Sequence, residues 1–341
     1  MKQTFVTAVM GMTLVLLSSL AAPAVKSAAA STARPAESGS LMSCGDGITL
    51  TRLSPPKRFD PRTASNATLR AADFPARPSD PALLATWQRY AARYAAGRVV
   101  QGSTCRVGPK HTHPPATSSQ SASGEVTSAT SGGSSPYWAG NVAHNEPYTD
   151  AEAQWVVPYA SGGSGTDSSH WVGVGLGDSS TYPVVQAGSD SPGWNVGSYG
   201  WVEVYPQQHQ VVLSQLYSIQ GDLMMAHVRF TSNLATFHVV DETLGVEYQF
   251  SEGFSGIKPD GHAEFIVERP ANSSGVHYCL ANFGSVRFTS AQAAAPNFGW
   301  HSIGALPHYY LWMQNGTHRL AYPGPIDSTG YAFSAIWENY C

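Results

Sequence analysis

The sequence predicts an all-β protein, a sandwich or barrel, from about residue 136 to its end. Three observations carry this. Short apolar runs alternating with a period of two recur at close spacing, separated by Gly, Pro, Asn and Asp. Asn315-Gly316 stands between Tyr309–Met313 and His318–Tyr322, and Asn-Gly is the favoured two-residue hairpin turn. Charged residues make up only 12% of the chain, against roughly 25% in average domains, while Gly, Ser, Thr, Tyr and Trp abound.

The elements follow in order. Residues 1–24 read as a secretory signal: Lys2 is the cationic start, Phe5 to Leu20 the apolar stretch, and Ala22-Pro23-Ala24 a small-x-small cleavage site. An N-terminal anchor is the alternative, but no cationic stop-transfer flank follows, so a secreted protein free of the membrane is expected. Residues 25–110 hold one strong helix signal. Asp80 suits the cap, Pro81 the first turn and Gly97 the stop, with Leu83, Trp87, Tyr90 and Tyr94 on one stripe. This segment is read as a propeptide whose aromatic helix face docks on the mature domain, rather than as an accessory domain. Residues 111–135 are Ser/Thr/Pro-rich and read as a cleavable linker. His111 and His113 fall there without further ligands at metal spacing, and no metal is expected.

From Pro136 onward strands are expected at Glu152–Pro158, His170–Val174, Gly200–Pro206, Leu223–Phe230, Thr236–Val240, Val246–Phe250, His262–Glu268 and Gly284–Thr289, before the hairpin. The four cysteines divide two and two across this organisation. Of three pairings, Cys44–Cys105 with Cys279–Cys341 is preferred. Asn66, Asn272 and Asn315 lie in glycosylation sequons.

A formal net charge of -4 leaves no nucleic-acid footprint. Few carboxylates means few to lose on acidification, which suits an acidic setting. H-E-x-x-H and G-x-S-x-G are absent, and the Gly173, Gly175, Gly177 spacing fails the dinucleotide pattern. What remains is polar and aromatic residues on strand faces. Alternation sets Trp201, Glu203 and Tyr205 on one face, with Val202 and Val204 toward the core. It sets Glu264, Ile266 and Glu268 opposite Ala263, Phe265 and Val267. A carboxylate that leaves water needs a partner or a task. Composition and spacing leave three readings open: a peptidase, a glycan-binding sandwich using Trp171, Trp201 and Tyr205 as platforms, or a glycosidase with Glu203 and Glu268 as its carboxylate pair.

Four stretches stand in a telling order: Trp171-Val172-Gly173-Val174, Val185-Gln186-Ala187-Gly188-Ser189-Asp190, Trp201-Val202-Glu203-Val204-Tyr205-Pro206 and Ala263-Glu264-Phe265-Ile266-Val267-Glu268. Together with Ser135–Gly140 and Ala281–Thr289 they resemble the glutamic peptidases, the eqolisin (G1) family, over about residues 135 to 341. The family reads W-V-G-I-D-G, L-Q-T-G-V-D, W-Y-E-W-Y-P and A-E-W-I-V-E in the first four places.

The resemblance implies a lectin-like (concanavalin A-like) sandwich of two antiparallel sheets, a secreted acid-acting endopeptidase without cofactor, and a removable propeptide that inhibits its own enzyme. By motif position Gln186 and Glu268 form the catalytic pair. Trp171, Asp190, Trp201, Glu203 and Tyr205 line the substrate cleft, and Glu264 is supporting. Protein or peptide substrates and a monomer are expected, with no nucleic acid or membrane partner. Gly175 and Tyr199 stand where the family often has aspartates, and Arg269-Pro270 replaces an Asp-Phe; a cation next to Glu268 would favour its ionised form. Gln186 separates the readings, since a lectin or glycosidase would tolerate its loss.

Overall fold

The computed structural model of the chain describes residues 39–53, 59–108, 132–176, 183–194, 197–254, 261–272 and 274–341. The secretory signal, His111, His113 and most of the linker lie outside these residues. Among the described residues no helix is long and apolar enough to cross a membrane.

The chain opens with a hairpin, β1 (Leu41–Gly45) and β2 (Ile48–Arg52). Its central residues Asp46 and Gly47 have φ of 49° and 77°, the two positive angles a type I′ turn needs. Helices α1 (Asn66–Ala71) and α2 (Pro81–Ala95) follow, then the short β3 (Val100–Gln101) and β4 (Cys105–Val107). Asp80 caps α2, its side chain accepting from the Ala82 amide at 2.9 Å, and Gly97 closes it with φ of 66°. Further strands are β5 (Gly132–Ser135), β6 (Trp138–Ala143), β7 (Asp150–Val156), β8 (Thr166–Asp167), β9 (Ser169–Leu176), β10 (Val184–Asp190) and β11 (Tyr199–Tyr205). After them come β12 (Val211–Tyr217), β13 (Leu223–Thr231), β14 (Leu234–Asp241), β15 (Val246–Gly253), β16 (Gly261–Glu268) and β17 (Cys279–Leu280). The last are β18 (Ser285–Ala295), β19 (Gly299–Ser302), β20 (His308–Asn315), β21 (His318–Pro323) and β22 (Phe333–Trp337).

These strands form two antiparallel layers. One runs β19, β18, β7, β13, β14, β15. The other runs β12, β11, β10, β9, β16, β6, β20. Strand β18 belongs to both: Ser285–Phe288 pair with β22, and from Thr289 the strand pairs with β7, with a register shift between Thr289 and Gln292. Ser290 turns this corner with φ of 52°. Between the layers Val172, Val174, Val185, Ala187, Val202, Val204, Phe265 and Val267 pack with Trp155, Met224, Val228 and Phe237, all buried. Each such side chain contributes about 1.5–3 kcal/mol relative to exposure. The one polar handle in that list, the Trp155 indole, donates to Ser189 Oγ at 3.0 Å.

The N-terminal segment departs from the sequence expectation. Beyond the expected helix α2 it supplies a second helix, α1, and four strands that complete the sandwich. β2 (antiparallel) and β3 (parallel) pair with β15 at the edge of one layer, and β4 pairs with β12 at the edge of the other. An open edge is a row of unpaired amides and carbonyls, so strands are drawn to it. The missed signal was Gly45-Asp46-Gly47, since Asp-Gly marks a hairpin as well as Asn-Gly does. On α2, Leu84 rather than Leu83 joins Trp87, Tyr90 and Tyr94 in the apolar cluster, which also takes in Met225 and Val240. The linker ends earlier than expected, because Gly132–Ser135 are strand β5, parallel to β20. Both disulfides form, Cys44–Cys105 and Cys279–Cys341. Their separations of 61 and 62 residues are each worth roughly 4 kcal/mol on a loop-entropy model.

Candidate active site

The outer face of the second layer is built by alternation. Because Val185 and Ala187 enter the core, Gln186, Gly188 and Asp190 face outward on β10. The same logic puts Trp201, Glu203 and Tyr205 outward on β11, Trp171, Gly173 and Gly175 on β9, and Glu264, Ile266 and Glu268 on β16. Val142, Trp171, Val184, Trp201 and Ile266 form their own apolar cluster on this face, flanked by Trp138, Tyr199, Tyr309 and Leu311. In the full chain Gln186, Glu203, Asp190 and Trp171 are fully buried, Glu268 and Trp201 are 1% exposed, and Tyr205 is half-buried.

Registers fix the layout. Gln186 pairs with Glu203 on one side and Gly173 on the other, and Gly173 pairs in turn with Glu264. Glu203, Gln186 and Glu264 therefore share one row, with a glycine between the last two. Glu268 pairs with Ser169, which pairs with Asp190, two pleat rows away. Gln186 Nε2 donates to Glu203 Oε2 at 2.8 Å, and the Trp171 indole donates to Glu268 Oε2 at 2.8 Å. Trp138 meets Trp171 edge to face, with centroids 5.3 Å apart. The glycines keep this face low: a Cβ on Gly175 would lie 2.9 Å from Glu264 Oε1, and one on Gly188 would strike the His170 carbonyl.

Asp190 anchors the far row. It accepts from the Tyr199 hydroxyl at 2.7 Å and from Gln210 Nε2 at 3.2 Å. Asp167 has its carboxyl raised well above the usual range, by burial first and the Asp190 charge second. Tyr199 is thus tied by its hydroxyl to the outward aspartate of β10. At the other end the Tyr309 ring lies between His144 and His262, with centroids at 5.4 and 6.5 Å.

The expected catalytic and substrate-binding residues thus lie on one face, but not at one point: Gln186 and Glu203 touch, while Trp171, one row off, touches Glu268, two rows off. The Arg269 guanidinium lies over the Tyr137 ring, 5.4 Å from the centroid. Sequence reasoning left out Trp138, Asp167 and Gln210. Trp138 had a signal, being the Trp of Ser135–Gly140; Asp167 and Gln210 had none beyond polarity.

A model of the peptidase A4 family matches residues 136–321, more than half of the chain. Scytalidopepsin B of Scytalidium lignicola is 32% identical over 169 residues, which are 46% of this chain and 63% of that protein. The chain thus spans less than two thirds of that relative. Two crystal structures of scytalido-glutamic peptidase, one with a peptide-based transition state analog and one with a transition state analog inhibitor, share the fold. Their TM-scores are 0.51 and 0.52 at 24% identity, covering 60% of this chain and 98% of each.

Proposed function

Because the chain belongs to the peptidase A4 family, we propose that it is a secreted, acid-acting endopeptidase of protein or peptide substrates, with Gln186 and Glu268 as its working pair. Glu268 as carboxylate takes a proton from a water, whose oxygen bonds to the scissile carbonyl carbon. As the carbon–nitrogen bond breaks, the same carboxyl returns the proton to the departing amine. Gln186 carries no titratable proton, which suits a fixed donor. One of its two N–H groups is held by Glu203, which sets the amide plane. The other is the donor for the tetrahedral oxyanion. The Trp171 indole orients Glu268, and Trp201, Tyr205 and Tyr199 wall the substrate.

The observation that carries this reading is an amide and a carboxylate, each oriented by its own hydrogen bond, on one buried face floored by Gly173 and Gly188. The enzyme works as a monomer, and the N-terminal segment, while joined to it through the uncut linker, holds it inactive. A second reading rests on the register: Glu264, across Gly173 from Gln186 and about 10 Å away by two strand spacings, takes the base role instead of Glu268. Gln186→Ala tests the shared part. Acid turnover of casein should fall about 10² to 10³ for loss of such a donor. Unchanged turnover would return the face to the glycan-binding or glycosidase alternatives.

A further inference from the structure

We infer that residues 39–108 stay on the sandwich as a separate, non-covalently held chain after the linker is cut, rather than leaving as a spent propeptide. The inference takes the cutting of the linker from the proposed function and adds what happens next. Both disulfides close within one side of that cut, so no covalent bond crosses it. What does cross is extensive and of three kinds.

The first is sheet. The Leu53 amide donates to the Gln249 carbonyl at 2.9 Å, Gly102 to Glu247 at 2.7 Å, Gly108 to Gln210 at 2.6 Å and Ser214 to Thr104 at 3.1 Å. Losing the segment would bare the edges of β12 and β15 together. The second is core. Met42, Cys44 and Leu50 belong to the main apolar core between the layers. Leu69, Phe74, Trp87, Tyr90 and Ala91 form a second core with Met225 and Val240 on the outer face of the first layer. Gly102 lies so close to the Tyr248 ring that a Cβ would come within 2.2 Å of it.

The third is charge. Asp73 meets His227 Nδ1 at 2.5 Å and His238 Nδ1 at 3.5 Å, and accepts from Gln249 Nε2 at 3.0 Å. His227 Nε2 is on Asp150 at 3.0 Å, so its ring lies between two carboxylates. The Tyr90 hydroxyl donates to Glu247 Oε2 at 2.5 Å and Gln101 donates to Oε1 of the same carboxylate. These contacts lie on the first layer and on the sheet edges, while the outer face of the second layer carries Gln186 and Glu268. Retention of residues 39–108 is therefore compatible with an active enzyme.

The test separates retention from self-cleavage. A recognition sequence for a site-specific protease is placed within residues 111–131 of the full chain, and the chain is cut by that protease. The cut protein is then diluted at pH 5 and followed by native mass spectrometry and gel filtration. One particle containing both chains is expected. Free elution of residues 39–108 at pH 5 would overturn the inference, whatever the fate of the peptidase reading. Asp73→Asn should speed dissociation at least a hundredfold, because it takes from His227 and His238, both buried, one of the two carboxylates that each faces. If that variant does not accumulate, the unsubstituted cut protein still decides.

Discussion

At the scale of single residues, the site depends on side chains whose neighbours are unusually close. Glu264 Oε1 lies only 2.9 Å from where a Cβ on Gly175 would be. Gly175→Val should displace that carboxylate and lower acid proteolysis at least tenfold, with an unchanged far-ultraviolet circular dichroism spectrum; full activity would mean that Glu264 has no part in the face. His170 belongs to the same strand and is fully buried, with its imidazole pushed down to about 3 by burial, the Ser189 backbone opposing. The sign follows from that depression. The neutral ring costs nothing at pH 7, and the cost grows as pH falls below the unfolded value of about 6.5 toward 3. His170→Gln should therefore shift the stability difference between pH 4 and pH 7 in favour of pH 4 by on the order of 3 kcal/mol relative to the unsubstituted protein, read from urea midpoints at the two pH values. An equal difference in both proteins would contradict a neutral His170.

At the scale of elements, the strands of the second layer were legible because their alternation is strict. Gly200–Pro206 became β11 with Val202 and Val204 inward, and Ala263, Phe265 and Val267 entered the core as their spacing required. The register between strands was not legible. Nothing in the residues of β9, β10 and β16 says that Gly173 stands between Gln186 and Glu264 while Ser169 stands beside Glu268, because pairing depends on turns between strands distant in sequence. The α2 cap was readable from Asp80-Pro81. Asp80→Ala should cost about 1 kcal/mol, seen as a lower urea midpoint with unchanged slope; no change would mean the cap is spare.

At the scale of the molecule, the strands of the N-terminal segment were not legible, because strands of two, three and five residues carry little periodicity of their own. Their fit is visible only once β12 and β15 present open edges. The seam they make favours acid. Burial alone would lower His227, but Asp73 and Asp150 outweigh it and raise it to about 9; His238, facing Asp73 and Glu247, rises to about 10 against the same burial cost. Their contribution is complete below about 6.5 and is lost as pH climbs through 9 and 10. Around them Glu152 and Glu242 are pushed up to about 7 and about 8 by burial, so they too favour the folded state on the acid side; Arg229 holds Asp150 and Tyr90 holds Glu247. Asp73, Asp150 and Glu247 are lowered, their burial offset by the histidines and Arg229, so their contribution fades only below the ordinary carboxylate range. The melting temperature should peak between about pH 4 and 6.5 and fall toward pH 9; a peak above pH 8 would contradict the charged seam. Function remains the central claim, and one measurement meets it directly: N-terminal sequencing of the full chain after incubation at acid pH, beside Glu268→Gln and Glu264→Gln. The account predicts a new N-terminus between about residues 111 and 136, absent from Glu268→Gln and present in Glu264→Gln. Cutting that persists in Glu268→Gln would contradict it.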